Sequence, residues 1–171
     1  MKRLYPLLFI SVLIYWGCED KKEPPTEVTL WGKVYSIEDT ERLDLSYNQL
    51  TGSIPPEMGN LINLTLLGLT DNQLTGSISS ELSNMTNLSS LYLSQNQLTG
   101  SIPPEIGNLI NLERLHLYNN QFSGLIPESI CDLSIYFEND DRFTIYNNQL
   151  CPPYPSCIEG NVGEQDTSGC D

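Results

Sequence analysis

Histidine and basic residues are scarce in this sequence: one histidine, His116, and eight lysines and arginines stand against 22 acidic residues, for a formal charge of −14. A chain lacking its first 17 residues would carry −16, because Lys2 and Arg3 are lost with them. Such a surface repels phosphate backbones and anionic headgroups, which excludes nucleic acid as a partner and membrane contact other than through an anchor. A single histidine leaves little room for a metal cluster or a nucleophile–histidine pair. No serine elbow, phosphate-binding loop, H-E-x-x-H or dinucleotide glycine fingerprint occurs, so neither an enzyme nor a cofactor is expected. Cysteine is absent between Cys18 and Cys131. Long apolar runs are missing too. The longest, Leu4 to Trp16, is interrupted by Pro6 and Ser11 and falls short of the roughly twenty residues a membrane helix needs.

That run follows the positive pair Lys2-Arg3 and reads as an export signal over residues 1–17. It ends in Tyr15-Trp16-Gly17-Cys18, ahead of the polar string Glu19 to Glu23. Gly17-Cys18 resembles the lipobox of bacterial lipoproteins, which implies lipidation at Cys18, a tether over 18–27 and residence on an outer membrane or cell surface. Tyr15 and Trp16 are bulkier than that family's usual residues, so an ordinary signal peptide and a secreted product stand as the alternative.

Self-comparison reveals a repeat. Leu43, Leu67, Leu91 and Leu115 each open a segment of the form L-x-L-x-x-N-Q-[LF]-[TS]-G-x-I at a period of 24, and a fifth copy, FTIYNNQL, starts at Phe143 after 28. The segments resemble the plant-type subclass of leucine-rich repeats, L-x-x-L-x-L-x-x-N-x-L-T-G-x-I-P, over about residues 40–150. That resemblance implies an α/β solenoid, a right-handed superhelix with short parallel strands on its concave face and short 3₁₀ or α turns on its convex side. Alternation in L-x-L places both leucines on one strand face. Asn48, Asn72, Asn96, Asn120 and Asn148 stand where the chain leaves the strand and are expected to form a structural ladder of buried amides. The glycine column headed by Gly52 suits positive φ in a tight coil. Ile54, Ile78, Ile102 and Ile126 return to the core, and Ser79 interrupts the column of Pro55, Pro103 and Pro127.

No single coil buries its leucines, so both ends need covers. Residues 28–39 are expected to form an N-terminal cap, with Trp31 and Tyr35 as plugs, and 151–171 a C-terminal cap. Four cysteines, Cys131, Cys151, Cys157 and Cys170, argue for two disulfides in an exported chain, and the sequential pairing Cys131–Cys151 and Cys157–Cys170 is expected among three possibilities. Cys151 and Cys157 flank Pro152-Pro153-Tyr154-Pro155-Ser156, a spacing unsuited to a redox pair. Asp132, Glu138, Asp140 and Asp141 lack a recognisable Ca²⁺-loop spacing and read as a solvated insertion.

The framework positions repeat almost letter for letter, whereas the outward slots of the strands vary. Down the stack they are Arg42, Leu66, Ser90, Arg114 and Arg142; then Asp44, Gly68, Tyr92, His116 and Thr144; then Ser46, Thr70, Ser94, Tyr118 and Tyr146. Tyr92, His116, Tyr118 and Tyr146 beside Arg114 and Arg142 form a candidate ligand-binding patch, since Tyr and Arg anchor interfaces through large area with polar handles. The expected function is non-catalytic binding of a protein, peptide or glycan by the concave sheet. The alternatives are a structural spacer of a surface assembly, and a secreted plant-type receptor fragment or glycosidase inhibitor, in which the sequons at Asn63, Asn84 and Asn87 would carry glycans.

Overall fold

Each 24-residue unit makes one winding of a continuous coil. The computed structural model describes residues 25–170; the expected signal peptide, Cys18 and most of the tether lie outside the described residues. An inner parallel sheet runs in the order β11-β9-β7-β5-β3, with β3 at Arg42–Asp44, β5 at Leu66–Gly68, β7 at Ser90–Tyr92, β9 at Arg114–His116 and β11 at Phe143–Thr144. Its register follows the repeat: Leu43 pairs with Leu67, Leu67 with Leu91, Leu91 with Leu115 and Leu115 with Phe143. The residue before each ladder asparagine then takes a left-handed conformation, at Tyr47, Asp71, Gln95, Asn119 and Asn147 with φ of 53–60°. This reversal turns the chain out of the inner sheet, and its side chains gave no shared signal for it.

A second parallel sheet lies where the sequence suggested only a corner. It runs β12-β10-β8-β6-β4, comprising β4 at Thr51–Ser53, β6 at Gln73–Gly76, β8 at Gln97–Gly100, β10 at Gln121–Leu125 and β12 at Gln149–Cys151. Its pairing partners are 22 residues apart in the first coils, Thr51 with Gln73 and Thr75 with Gln97, so this sheet staggers by two residues per winding. Glycine and threonine in L-T-G disguised the strand as a turn. The glycines at 52, 76, 100 and 124 have φ of 76–80° and bend the chain toward the convex side.

Short 3₁₀ helices close the convex side at Pro56–Asn60, Ser80–Asn84, Pro104–Asn108 and Glu128–Asp132. Three enter from an extended proline; at the fourth Ser79 keeps a similar φ, −75°, and its hydroxyl accepts a hydrogen bond from Glu81 N–H. Between the two sheets and these helices runs one apolar spine, in which Leu67, Leu69, Leu91, Leu93, Leu115, Leu117 and Phe122 are wholly buried. Leu45, at the N-terminal end, is only partly buried.

Hydrogen bonds between windings repeat as regularly as the leucines. Asn120 accepts from Leu98 N–H at 3.1 Å and donates to the carbonyls of Leu93 and Leu117 at 3.0 and 3.1 Å, and Asn72, Asn96 and Asn148 do the same in their own coils. Asn48 stands at the open end: its side-chain amide donates to Ser46 O within its own coil, and its backbone N–H donates to Asn72 Oδ1 of the next. A second ladder, unforeseen from the sequence, lies on the convex side: Asn63, Asn87 and Asn111 each donate to a carbonyl 25 residues earlier.

At the N-terminal end β1, Glu27–Leu30, and β2, Lys33–Ser36, form an antiparallel hairpin around Trp31-Gly32, both at positive φ as a tight two-residue turn requires. Val28 and Leu30 join the spine, and Trp31 Nε1 donates to Thr51 O. At the other end Gln165 takes the place of a further rung, accepting from Leu150 N–H and donating to Ile145 O and Val162 O. The disulfides are Cys131–Cys157 and Cys151–Cys170, not the sequential Cys131–Cys151 and Cys157–Cys170. Cys151 ends an outer strand while Cys131 belongs to a convex helix, so the two lie on different faces of the coil. Cys131 occupies the register position of Gly107, and Cys157 that of Ser129; those two residues already touch across adjacent coils, where a Cβ on Gly107 would fall 2.7 Å from Ser129 Cβ.

Candidate functional site

The outward slots of the inner sheet divide into two halves. In the first, small groups close up against the sheet: Gly68 is buried beneath Asp44, whose carboxylate accepts from Ser46 N–H at 3.0 Å, and Thr70 meets Ser94 hydroxyl to hydroxyl at 3.2 Å. Ser90 and Ser94, expected to face solvent, are buried at 4% and 1% exposure, because neighbouring coils pack over such short side chains. The N-terminal half thus offers little relief for a ligand.

Aromatic side chains project from the second half. Tyr92 meets His116 edge-on at a centroid distance of 4.9 Å, His116 lies 6.4 Å from Tyr118, and Tyr118 stacks on Tyr146 at 4.9 Å with only 16° between the planes. This spacing follows from the sheet, whose neighbouring strands lie about 4.8 Å apart. Tyr118 also donates from its hydroxyl to Gln95 Oε1 at 3.4 Å. His116 Nε2 lies 3.2 Å from the Asp141 carbonyl oxygen, to which it donates in the matching tautomer. Burial lowers the His116 pKa below 6.5, only partly offset by Asp141, and Arg114 lowers it further, so the ring is neutral at pH 7.

The C-terminal cap completes the site, and sequence reasoning missed this part. Asn147 N–H donates to Glu164 O at 2.7 Å, and Asn148 bridges to Gln165, which lays residues 160–165 beside the last winding. Gly163, with φ of +62°, passes so close to Tyr146 that a Cβ there would fall 2.5 Å from Tyr146 Cβ. Between sheet and cap opens a cavity of about 740 Å³ lined by His116, Tyr118, Tyr146, Asp140, Asn161, Glu164 and their neighbours. At its floor the Thr144 hydroxyl is buried without a hydrogen-bond partner among the described residues. The repeat pattern stops at residue 150, so nothing in it marked Asn161, Gly163 or Glu164.

The structure therefore gathers His116, Tyr118 and Tyr146 around one cavity, with Tyr92 in contact behind them. Arg114 and Arg142 do not line it, and Arg142 pairs with Glu113 at 3.4 Å. Asp132, Glu138, Asp140 and Asp141 do not converge: among the described residues no three potential ligands are placed to hold a metal ion, and Glu138 accepts instead from the Tyr136 hydroxyl. Cys151 and Cys157 belong to separate disulfides.

With the geometry in hand, two family models match the chain: one described as two copies of leucine-rich repeats, over residues 86–128, and one described as a leucine-rich repeat, over 39–61 and 63–85. No curated protein matches. Among solved structures, similarity extends to the ectodomain of the plant membrane receptor kinase GASSHO1/SCHENGEN3 from Arabidopsis thaliana in complex with CASPARIAN STRIP INTEGRITY FACTOR 2. The identity is 39%, the TM-score 0.60, and the match covers 64% of this chain and 13% of that one. The Arabidopsis receptor kinase HAESA, in complex with the peptide hormone IDA and the co-receptor SERK1, is 32% identical with a TM-score of 0.66, over 75% of this chain and 22% of that one. The BIR3–SERK2 complex from Arabidopsis thaliana gives 30% identity and a TM-score of 0.61, over 78% of this chain and 68% of its counterpart. This chain thus spans only 13% and 22% of the two receptor kinase chains.

Proposed function

Because the chain belongs to the leucine-rich-repeat family, we propose that it is an exported, non-catalytic module that holds a protein or peptide on the C-terminal half of its concave sheet. The carrying observation is the aromatic row Tyr92-His116-Tyr118-Tyr146 walled by the cap, a concave, partly apolar site with convergent polar groups of the kind that ligands occupy. Support comes from the similar ectodomains crystallised with a peptide hormone, a co-receptor or another protein partner. Two disulfides support folding in an oxidising compartment. Arg114 and Arg142 flank the site as rim contacts. The deciding experiment is capture of partners from cell and envelope extracts by the wild-type protein and by Tyr118→Ala/Tyr146→Ala. Partners retained by the first and lost by the second support the binding role, whereas identical profiles favour a spacer without a ligand.

Export places the protein outside the cytoplasm in one of two ways. In the leading reading Cys18 carries diacylglycerol and anchors the chain to a bacterial envelope, a reading supported by Gly17-Cys18 at the end of the apolar run and ahead of the polar string Glu19 to Glu23. The second reading, a secreted plant-type receptor fragment, is favoured by the plant origin of the similar structures. There the sequons would carry glycans; Asn63 and Asn87 already donate their side-chain amides to the preceding coil, while Asn84 is exposed at the end of a convex helix. The intact mass of native protein separates them, diacylglycerol supporting the first and N-glycans the second.

A further inference from the structure

The cavity beneath the C-terminal cap has a charge character of its own. Two carboxylates, Asp140 and Glu164, stand among its lining residues, and no lysine or arginine does. Beyond residue 24 the chain has only Lys33, Arg42, Arg114 and Arg142 as basic residues, and of the two nearest, Arg142 is spent on Glu113. The imidazole at the cavity wall adds no positive charge at neutral pH, since its burial disfavours the protonated form. An electronegative hollow is therefore built around two aromatic rings, on a molecule with a formal charge of −14.

From this arrangement, and resting on the binding role just proposed for the concave sheet, we infer that the cavity receives an arginine side chain presented by the partner peptide or protein. A guanidinium laid on an outer face of the Tyr118–Tyr146 stack gains from the negative π surface there. Its N–H groups reach outward to carboxylates such as Asp140 and Glu164, where charge-assisted hydrogen bonds are short and strong. The planar fork suits this geometry better than the compact ammonium of lysine, because it stacks and donates at once. At about 740 Å³ the space exceeds one side chain, so flanking residues of the partner enter with it. The field of an acidic surface raises the local concentration of such cations and speeds their encounter.

The test is an NMR titration of the folded, disulfide-bonded protein with four blocked pentapeptides of glycine carrying a central arginine, lysine, citrulline or glutamate. The expected result is saturable movement of the Asn147, Gly163 and Glu164 amides with the arginine peptide, binding at least tenfold tighter than the citrulline and glutamate peptides. Lysine should fall between. Asp140→Asn/Glu164→Gln, which leaves the aromatic row and the spine untouched, should bring arginine to within about twofold of citrulline. The inference is overturned by equal binding of arginine and citrulline, by an arginine preference that survives the double substitution, or by no movement at these amides. None of those outcomes touches the extract capture with Tyr118→Ala/Tyr146→Ala, so the wider binding role stands or falls separately.

Discussion

At the scale of single residues, the buried amides and the imidazole carry the most testable consequences. Asn120→Ala leaves Leu98 N–H without its partner and takes donors from two carbonyls deep in the coil. Orphaned buried groups cost about 1–3 kcal/mol each, so a loss of about 3 kcal/mol is expected in denaturant unfolding. Asn48→Ala, at the exposed end of the same ladder, should cost less than about 1 kcal/mol. His116 has a folded pKa below its ordinary 6.5, which means that the unfolded chain takes up the proton first. Its contribution is therefore complete above about pH 6.5 and shrinks as pH falls through that value toward the lower folded pKa. Between pH 7 and 5 the unfolding midpoint should drop more in the wild type than in His116→Gln. Thr144→Val removes an unpaired buried hydroxyl and should raise stability by up to about 1 kcal/mol in the same assay.

Among the elements, the inner strands and the outer corner differed in how legibly they were written. L-x-L alternation at a constant period leaves one arrangement that buries every leucine, so the inner sheet and its register could be read directly. Gln-Leu-Thr-Gly was not legible as a strand, because glycine and polar residues signal turns locally and only the neighbouring coil's backbone converts the segment into a ladder. The disulfide register follows from the coil only once its convex contacts are known. The convex contact of Gly107 with Ser129 spans 22 residues, and the insertion of four in the last turn lengthens it to the 26 that separate Cys131 from Cys157. Each bridge closes a loop of ordinary length, and Cys131→Ser/Cys157→Ser is expected to lower stability by on the order of 3 kcal/mol, measured by urea unfolding.

For the molecule as a whole, contacts run almost entirely between adjacent windings, so stability is a sum of coils and interfaces rather than of distant pairs. The two ends are unequal. The C-terminal winding is held by two disulfides, Gln165 and the β10–β12 pairing, whereas the first winding has a half-buried Leu45 and an exposed Asn48 beside a hairpin of two four-residue strands. Hydrogen exchange should show β3 opening first, with protection rising through β7 and β9. Uniform protection along the coil would contradict this nearest-neighbour picture. The candidate site sits at the better-held end, where rigid backing keeps the tyrosine rings in place.

Residues recurring every 24 positions were enough to establish the solenoid, its buried leucines and the inner strand that presents Tyr92, His116, Tyr118 and Tyr146. Repetition does this because each winding repeats one local solution, and stacking is the only way to hide its apolar face. The cavity, by contrast, depends on residues 160–165 folding back against the last winding, on Gly163 clearing Tyr146 and on which cysteine meets which. Those contacts join a non-repeating segment to the repeat, and no periodicity encodes them; only the packed chain decided where the aromatic row would acquire its acidic wall.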